Sequence, residues 1–262
     1  MNRRLLMKLL IFLPFTLFCS NKELKMSYTI HRNKERGLAD HGWLHSRFSF
    51  SFAEYYNPQR MGFGALRVIN DDIIEAGEGF PMHPHKDMEI ISVVTKGSLE
   101  HHDSQGNHGV INKGQIQYMS AGSGVHHSEY NPSQSESVEL FQVWIHPNKT
   151  GGNPLYDERD FNTIETLNEW IVLASGDGRE HSIKMKQDAL ISTAKLESTT
   201  NIELPRAKKG HGLLLFVIEG TIEIAGEILK ERDEMQIINQ ASYTIKALSY
   251  SHLMLFEVPM HQ

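Results

Sequence analysis

His83-Pro84-His85 and His127-Ser128-Glu129 are two short motifs in which residues capable of chemistry stand two positions apart. A β-strand points residues two apart to the same face. Two adjacent strands carrying these motifs would therefore aim three imidazoles and a carboxylate at one point. Such a donor set suits one divalent ion, Fe(II), Ni, Mn, Cu or Zn, and leaves one or two positions open for a substrate or dioxygen. The ordinary reading of a lone His-x-His is a pair of hydrogen-bonded surface or core residues, and the second motif argues against it. Seven of the fifteen histidines, His83, His85, His101, His102, His108, His126 and His127, fall within 45 residues. The single cysteine, Cys19, excludes an intrachain disulfide and a thiolate metal site. Any metal must rest on histidine and carboxylate. Of the neighbouring histidines, His101, His102, His108 and His126 are expected to face solvent or to back the ligands. Trp43, Phe50, Phe52 and Phe63 are expected in the core or a cavity wall.

The elements that must position these residues read as strands. From Ser27 onward, short apolar or alternating segments are broken by Gly, Asn, Asp and Pro, the rhythm of an all-β sandwich or barrel. Expected strands include Phe63–Ile69, Met88–Thr95, Gly97–His102, Ile116–Ser120, Val138–His146, Trp170–Ala174, Gly212–Ile218, Thr221–Ala225, Glu234–Ile238, Tyr243–Ala247 and Leu253–Val258. The 262 residues suffice for two domains. Pro147 to Pro154, with two Pro and two Gly, opens the linker between them. A short echo, Val94-Thr95-Lys96-Gly97-Ser98-Leu99-Glu100 against Ile218-Glu219-Gly220-Thr221-Ile222-Glu223, suggests related halves. The second half has only scattered histidines.

Residues 1–25 combine Arg3, Arg4 and Lys8 with the apolar run Leu9–Phe18 and Cys19. They read as a secretory signal, with lipid attachment at Cys19 as one form of it, or as an artefact of start-site choice ahead of Met26. The run is too short and Pro-interrupted for a stable membrane span. Start at Met26 would imply a cytoplasmic protein; otherwise the protein is exported or lipid-anchored. The chain carries −6, and because residues 1–25 hold five Lys/Arg and one Glu the remainder carries −10. That balance argues against direct nucleic-acid binding.

The spacings Gly77-x5-His83-x-His85-x3-Glu89 and Gly114-x5-Ser120-x-Gly122, leading to His127-x3-Asn131, resemble the two-part cupin pattern, with Ser120 in place of the usual proline and two extra residues before His127. Longer motifs narrow the resemblance: His41-Gly42-Trp43-Leu44, Phe50-Ser51-Phe52-Ala53-Glu54-Tyr55-Tyr56, Met61 to Asp72, His83-Pro84-His85-Lys86-Asp87-Met88-Glu89, and Met119 to Pro132 resemble the pirins, strongly over residues 27–147 and loosely beyond. The resemblance implies an all-β bicupin, two antiparallel β-barrel (jelly-roll) domains packed together. The expected division is 1–25 outside the fold, 26–147 a metal-binding cupin domain, 148–165 a linker and 166–262 a cupin domain without metal ligands.

The resemblance also implies the ligand set His83, His85, His127 and Glu129 around one divalent ion, foremost Fe(II), with Glu129 also a catalytic base. Glu89 is held as an alternate or supporting ligand, since strand parity turns it to the side of His83 and His85. The implied activity is a metal-dependent dioxygenase that cleaves quercetin-like flavonols, or another enolic chelating substrate, with O2. A redox-sensing regulatory protein that modulates a protein partner is the alternative, and the same four ligands serve both. A sugar isomerase on the same scaffold ranks last for want of a basic phosphate cluster. A monomer is expected.

Overall fold

The computed structural model describes residues 27–162, 166–238 and 242–261; the signal-like segment lies outside them. Its strands in the first half are β1 (Ser27–His31), β2 (Gly37–Asp40), β3 (Leu44–Phe48), β4 (Leu66–Ile74), β5 (Gly79–His85), β6 (Glu89–Lys96), β7 (Ser98–Asp103), β8 (His108–Asn112), β9 (Gln115–Ser120), β10 (Val125–Tyr130), β11 (Val138–Ile145) and β12 (Leu155–Asp160). The second half contributes β13 (Ile171–Ser175), β14 (Ile183–Lys184), β15 (Leu190–Leu196), β16 (Asn201–Glu203), β17 (His211–Glu219), β18 (Thr221–Ile224), β19 (Glu227–Lys230), β20 (Glu234–Ile238), β21 (Thr244–Ala247) and β22 (Ser251–Pro259). Among the described residues, no helix is long and apolar enough to cross a membrane.

Each half pairs a seven-stranded sheet with a four-stranded one. The first has β12-β9-β6-β11-β4-β3-β2 and β5-β10-β7-β8; the second has β1-β20-β17-β22-β15-β13-β14 and β16-β21-β18-β19. The protein is thus all-β, with two antiparallel barrels packed together. Two strands depart from the expected division. β1 pairs with β20, so the first strand among the described residues completes the second barrel. β12, inside the expected linker, pairs along β9 as an edge of the first barrel. Its sequence, Leu-Tyr-Asp-Glu-Arg-Asp, hides its strand character because an edge strand is blunted with charge.

The large sheets pack against each other through alternate residues. On β11, Phe141, Val143 and Ile145 join a core shared with Leu214, Phe216, Met254 and Phe256 of the second half. Phe141 meets Phe216 edge to face at 5.3 Å, and truncating either ring would cost about 3–5 kcal/mol. Phe50 and Phe63 lie in this core, whereas Phe52 packs on Trp144 and Trp43 on Phe80. Charges also cross the junction: Asp71 accepts from Arg36 at 3.2 Å and from Arg232 at 3.0 Å, and buried Arg60 pairs with buried Glu234.

The two barrel interiors differ in kind. Leu196, Leu213, Leu215, Ile222, Ile245 and Leu253 are among the apolar side chains that fill the second. In the first, two small apolar clusters, one around Leu99 and Leu140 and one around Ile90 and Met119, accompany buried Asn70, Asp72, Ser92, His101, Gln117, His127, Glu129 and Gln142. Burying this much polarity is costly unless it is paired or functional.

Candidate metal centre

β5 and β10 lie side by side, with His83 opposite His127 and His85 opposite Val125. The register slips between His127 and Glu129, which faces Phe80, so three residues of β5 span two of β10. The extra residue falls at Pro81 and Met82, both exposed, and a bulge of this kind re-aims neighbouring side chains. Gly79, opposite Tyr130, leaves room for the approach of β10: a Cβ there would collide with the Glu129 carbonyl.

The imidazoles of His83, His85 and His127 converge. Ring centroids are 4.4 Å apart for His83 and His127, 4.8 Å for His83 and His85, and 4.9 Å for His85 and His127. One nitrogen from each lies within 4.8 Å of the others. His127 is buried, whereas His83 and His85 are half-buried, so the group is reached from the β5 side. Trp144 stands edge-on to His85 at 4.9 Å, and Phe80 edge-on to His83 at 6.3 Å.

Hydrogen bonds direct the lone pairs. Nδ1 of His83 donates to the Pro81 carbonyl at 2.8 Å, which leaves Nε2 as the free donor atom. Nδ1 of His127 lies 3.4 Å from Nδ1 of His101, and His101 Nε2 lies 3.4 Å from Asp103 Oδ2. Asp103 accepts the Nε2–H of His101, so His101 Nδ1 accepts from His127 and the lone pair of His127 falls on Nε2. That Nε2 is buried with no hydrogen-bond partner among the described residues. An orphaned imidazole nitrogen beside two others is the environment a divalent cation satisfies. Burial and the neighbouring His127 and His83 push His85 down to about 4, and burial with His83 and His101 pushes His127 down to about 3. Both rings are neutral at pH 7, as metal ligation requires.

Glu129 is buried beside this group. Its Oε1 accepts from Ser92 Oγ at 3.1 Å, and its Oε2 accepts from Gln142 Nε2 at 2.8 Å. It falls in a second cluster with His101 and His127, and His127 is common to both. His101, expected only among residues facing solvent or backing the ligands, is buried, stacks on Tyr156 at 4.9 Å and touches His127. Its phase with buried Leu99 on β7 was the available signal. His102, His108 and His126 are exposed.

Glu89 corrects the sequence reading. Its carboxylate accepts from the Tyr118 hydroxyl, from Ser120 Oγ at 2.7 Å and from the Lys186 backbone N–H at 3.0 Å. These contacts lie on the face of the large sheet that meets the second barrel, not with the imidazoles. Parity failed because the chain is not one strand from His85 to Glu89. Asp87 adopts a left-handed φ of 51°, and β5 and β6 belong to different sheets.

Two antiparallel β-barrels, of which only the first has a histidine-rich polar centre among the described residues, define a bicupin. Comparison with known proteins agrees. Residues 30–145 match the family model described as Pirin, and residues 172–258 match one described as Quercetinase C-terminal cupin domain. The chain is 43% identical over 231 residues to a protein named quercetin 2,3-dioxygenase from Escherichia coli strain K12, spanning 88% of this chain and 98% of that one. It is 41% identical over 224 residues to a pirin-like protein of Caulobacter vibrioides, spanning 84% and 95%. Among solved structures, the bacterial pirin YhhW from Escherichia coli in complex with nickel(II) superposes with a TM-score of 0.84 at 40% identity, covering 89% of this chain and 99% of that one. The chain belongs to the pirin family.

Proposed function

We propose that the protein is a metal-dependent dioxygenase acting on quercetin-like flavonols or a related enolic chelating substrate. The observation that carries this reading is the buried, unpartnered Nε2 of His127 beside the converging imidazoles of His83 and His85. Those three nitrogens and the Glu129 carboxylate would hold one divalent ion. Fe(II) is our first choice for oxygen chemistry, and the nickel(II) complex of YhhW supports a divalent site of this kind in the family. When bound, a redox-active ion supplies the route around the spin barrier between a closed-shell enol and triplet dioxygen.

The chain's own residues supply the rest. Glu129 takes the proton of the enolic hydroxyl, and Ser92 and Gln142 hold its two oxygens in place meanwhile. The half-buried His83 and His85 leave the β5 side for substrate entry. Trp144, Phe52 and Phe80 present aromatic edges there for a flat ring system.

The test is reconstitution of metal-stripped protein with Fe(II), Ni(II), Mn(II), Cu(II) or Zn(II), with oxygen uptake and carbon monoxide release measured on quercetin. Stoichiometric oxygen consumption that is abolished in His127→Ala supports the reading. No oxygen consumption with any metal and any enolic chelator would overturn it.

A further inference from the structure

Glu100, His102 and His108 form a second cluster of metal-competent side chains, on the outside of the first barrel. Glu100 and His102 sit two apart on β7 and face outward, while Leu99 and His101 face in. His108 opens β8 directly across from His102. Both imidazole Nε2 atoms aim at one oxygen: Glu100 Oε1 is 3.3 Å from His102 Nε2 and 3.1 Å from His108 Nε2. One ligand atom from each of the three lies within 4.8 Å of the others. The hydrogen bonds from His108 and His102 also hold the Glu100 carboxyl below its ordinary range.

We propose that this cluster is a second divalent-cation site, of the zinc, copper and nickel class, separate from the centre inside the barrel. Metal–imidazole and metal–carboxylate bonds of about 2.0–2.2 Å place neighbouring ligand atoms of a tetrahedral ion about 3.3 Å apart. The two Nε2–Oε1 separations, 3.3 Å and 3.1 Å, lie close to that spacing. Imidazole and carboxylate together select borderline divalent ions over calcium or magnesium, which take all-oxygen shells. The two rings now stack at 3.9 Å with 16° between their planes. Binding therefore requires one ring to turn about its Cβ–Cγ bond, and side-chain exposures of 49% and 56% leave both rings free to do so. Water fills the remaining positions.

The two sites share a strand but not a face. His101 points inward from β7 toward His127, and the adjacent His102 points outward. Because β8 is the edge of its sheet among the described residues, an ion bridging β7 and β8 staples the pairing that attaches the edge strand to that sheet. Cation binding there stabilises the folded chain by mass action.

Calorimetric titration of the chelator-stripped full chain with ZnCl2 tests the proposal. The chain and its His102→Ala/His108→Ala variant are compared, with circular dichroism as the check on folding. The exposed positions of both rings leave the fold intact. The expected result is one fewer equivalent of zinc in the double variant. In a His83→Ala/His85→Ala background the outer equivalent persists, and zinc raises Tm only while His102 and His108 are present. Equal stoichiometry with and without the two histidines, in either background, overturns the proposal. Because the count is a difference at the outer site, it is read independently of whether the inner centre binds metal.

Discussion

Nδ1 of His127 lies 3.4 Å from Nδ1 of His101, and the Asp103 carboxylate on the far side of His101 decides which ring gives the proton. His101 is a positioning residue: it touches a candidate ligand and sets which nitrogen of that ligand is free. His101→Leu should lower divalent-metal affinity by about 10–100-fold, read by competition with a coloured chelator, while the far-ultraviolet spectrum stays native. An unchanged dissociation constant would refute this role.

Asp72 is buried inside the first barrel with its Oδ1 accepting from Ser46 Oγ at 2.6 Å. Burial raises its carboxyl from 3.8 to about 7, with the Ser46 hydroxyl opposing. The folded pKa exceeds the unfolded one, so the stability this group contributes is complete below pH 3.8 and is lost as pH rises toward 7. Asp72→Asn keeps an acceptor for Ser46 and cannot ionise. Its stability advantage over the parent should grow between pH 4 and pH 8, by at most about 4 kcal/mol, measured by urea unfolding at both pH values. A constant difference across that range would show that Asp72 does not titrate there.

Glu89 ties Tyr118 and Ser120 to the Lys186 backbone across the barrel junction. Glu89→Gln should therefore leave the bound-metal content unchanged and lower stability by about 1–3 kcal/mol. Elemental analysis and thermal unfolding separate the two effects. Loss of metal without loss of stability would restore Glu89 to the ligand set.

Arg60 donates to the Ser49 carbonyl at 2.6 Å, lies over the Phe50 ring at 5.4 Å and pairs with Glu234 of the second barrel. Arg60→Met strands a buried carboxylate and should cost about 3–5 kcal/mol, whereas adding Glu234→Leu should recover most of it. Denaturant midpoints of the single and double variants give the answer. A double variant no better than the single one would mean that the pair is not the source of the loss.

Much of this architecture was legible in residue order. Short apolar runs located β6, β9, β11, β17 and β22 to within a residue or two, because each buries both faces along most of its length. The two i, i+2 motifs marked out His83, His85 and His127, since strand parity acts within a single strand. The same rule misled at Glu89, where one left-handed residue, Asp87, resets the parity. His101 carries no motif of its own. Its importance comes from β7 lying next to β10, with His101 opposite Glu129, a pairing that no local pattern encodes. β1 and β12 escaped for a similar reason, because which barrel an edge strand joins is decided by partners far along the chain.

The pairing of residues 27–31 with residues 234–238 also sets a timetable for synthesis. Residues 27–31 are synthesised long before residues 234–238 and must wait for them before they have a neighbour, while most of the histidine-bearing barrel can close in the interval. A fragment beginning at residue 166 would leave the Glu234–Ile238 strand without its outer neighbour, as an open sheet edge inviting association. Separate expression of the two halves therefore requires grafting the first strand onto the second half.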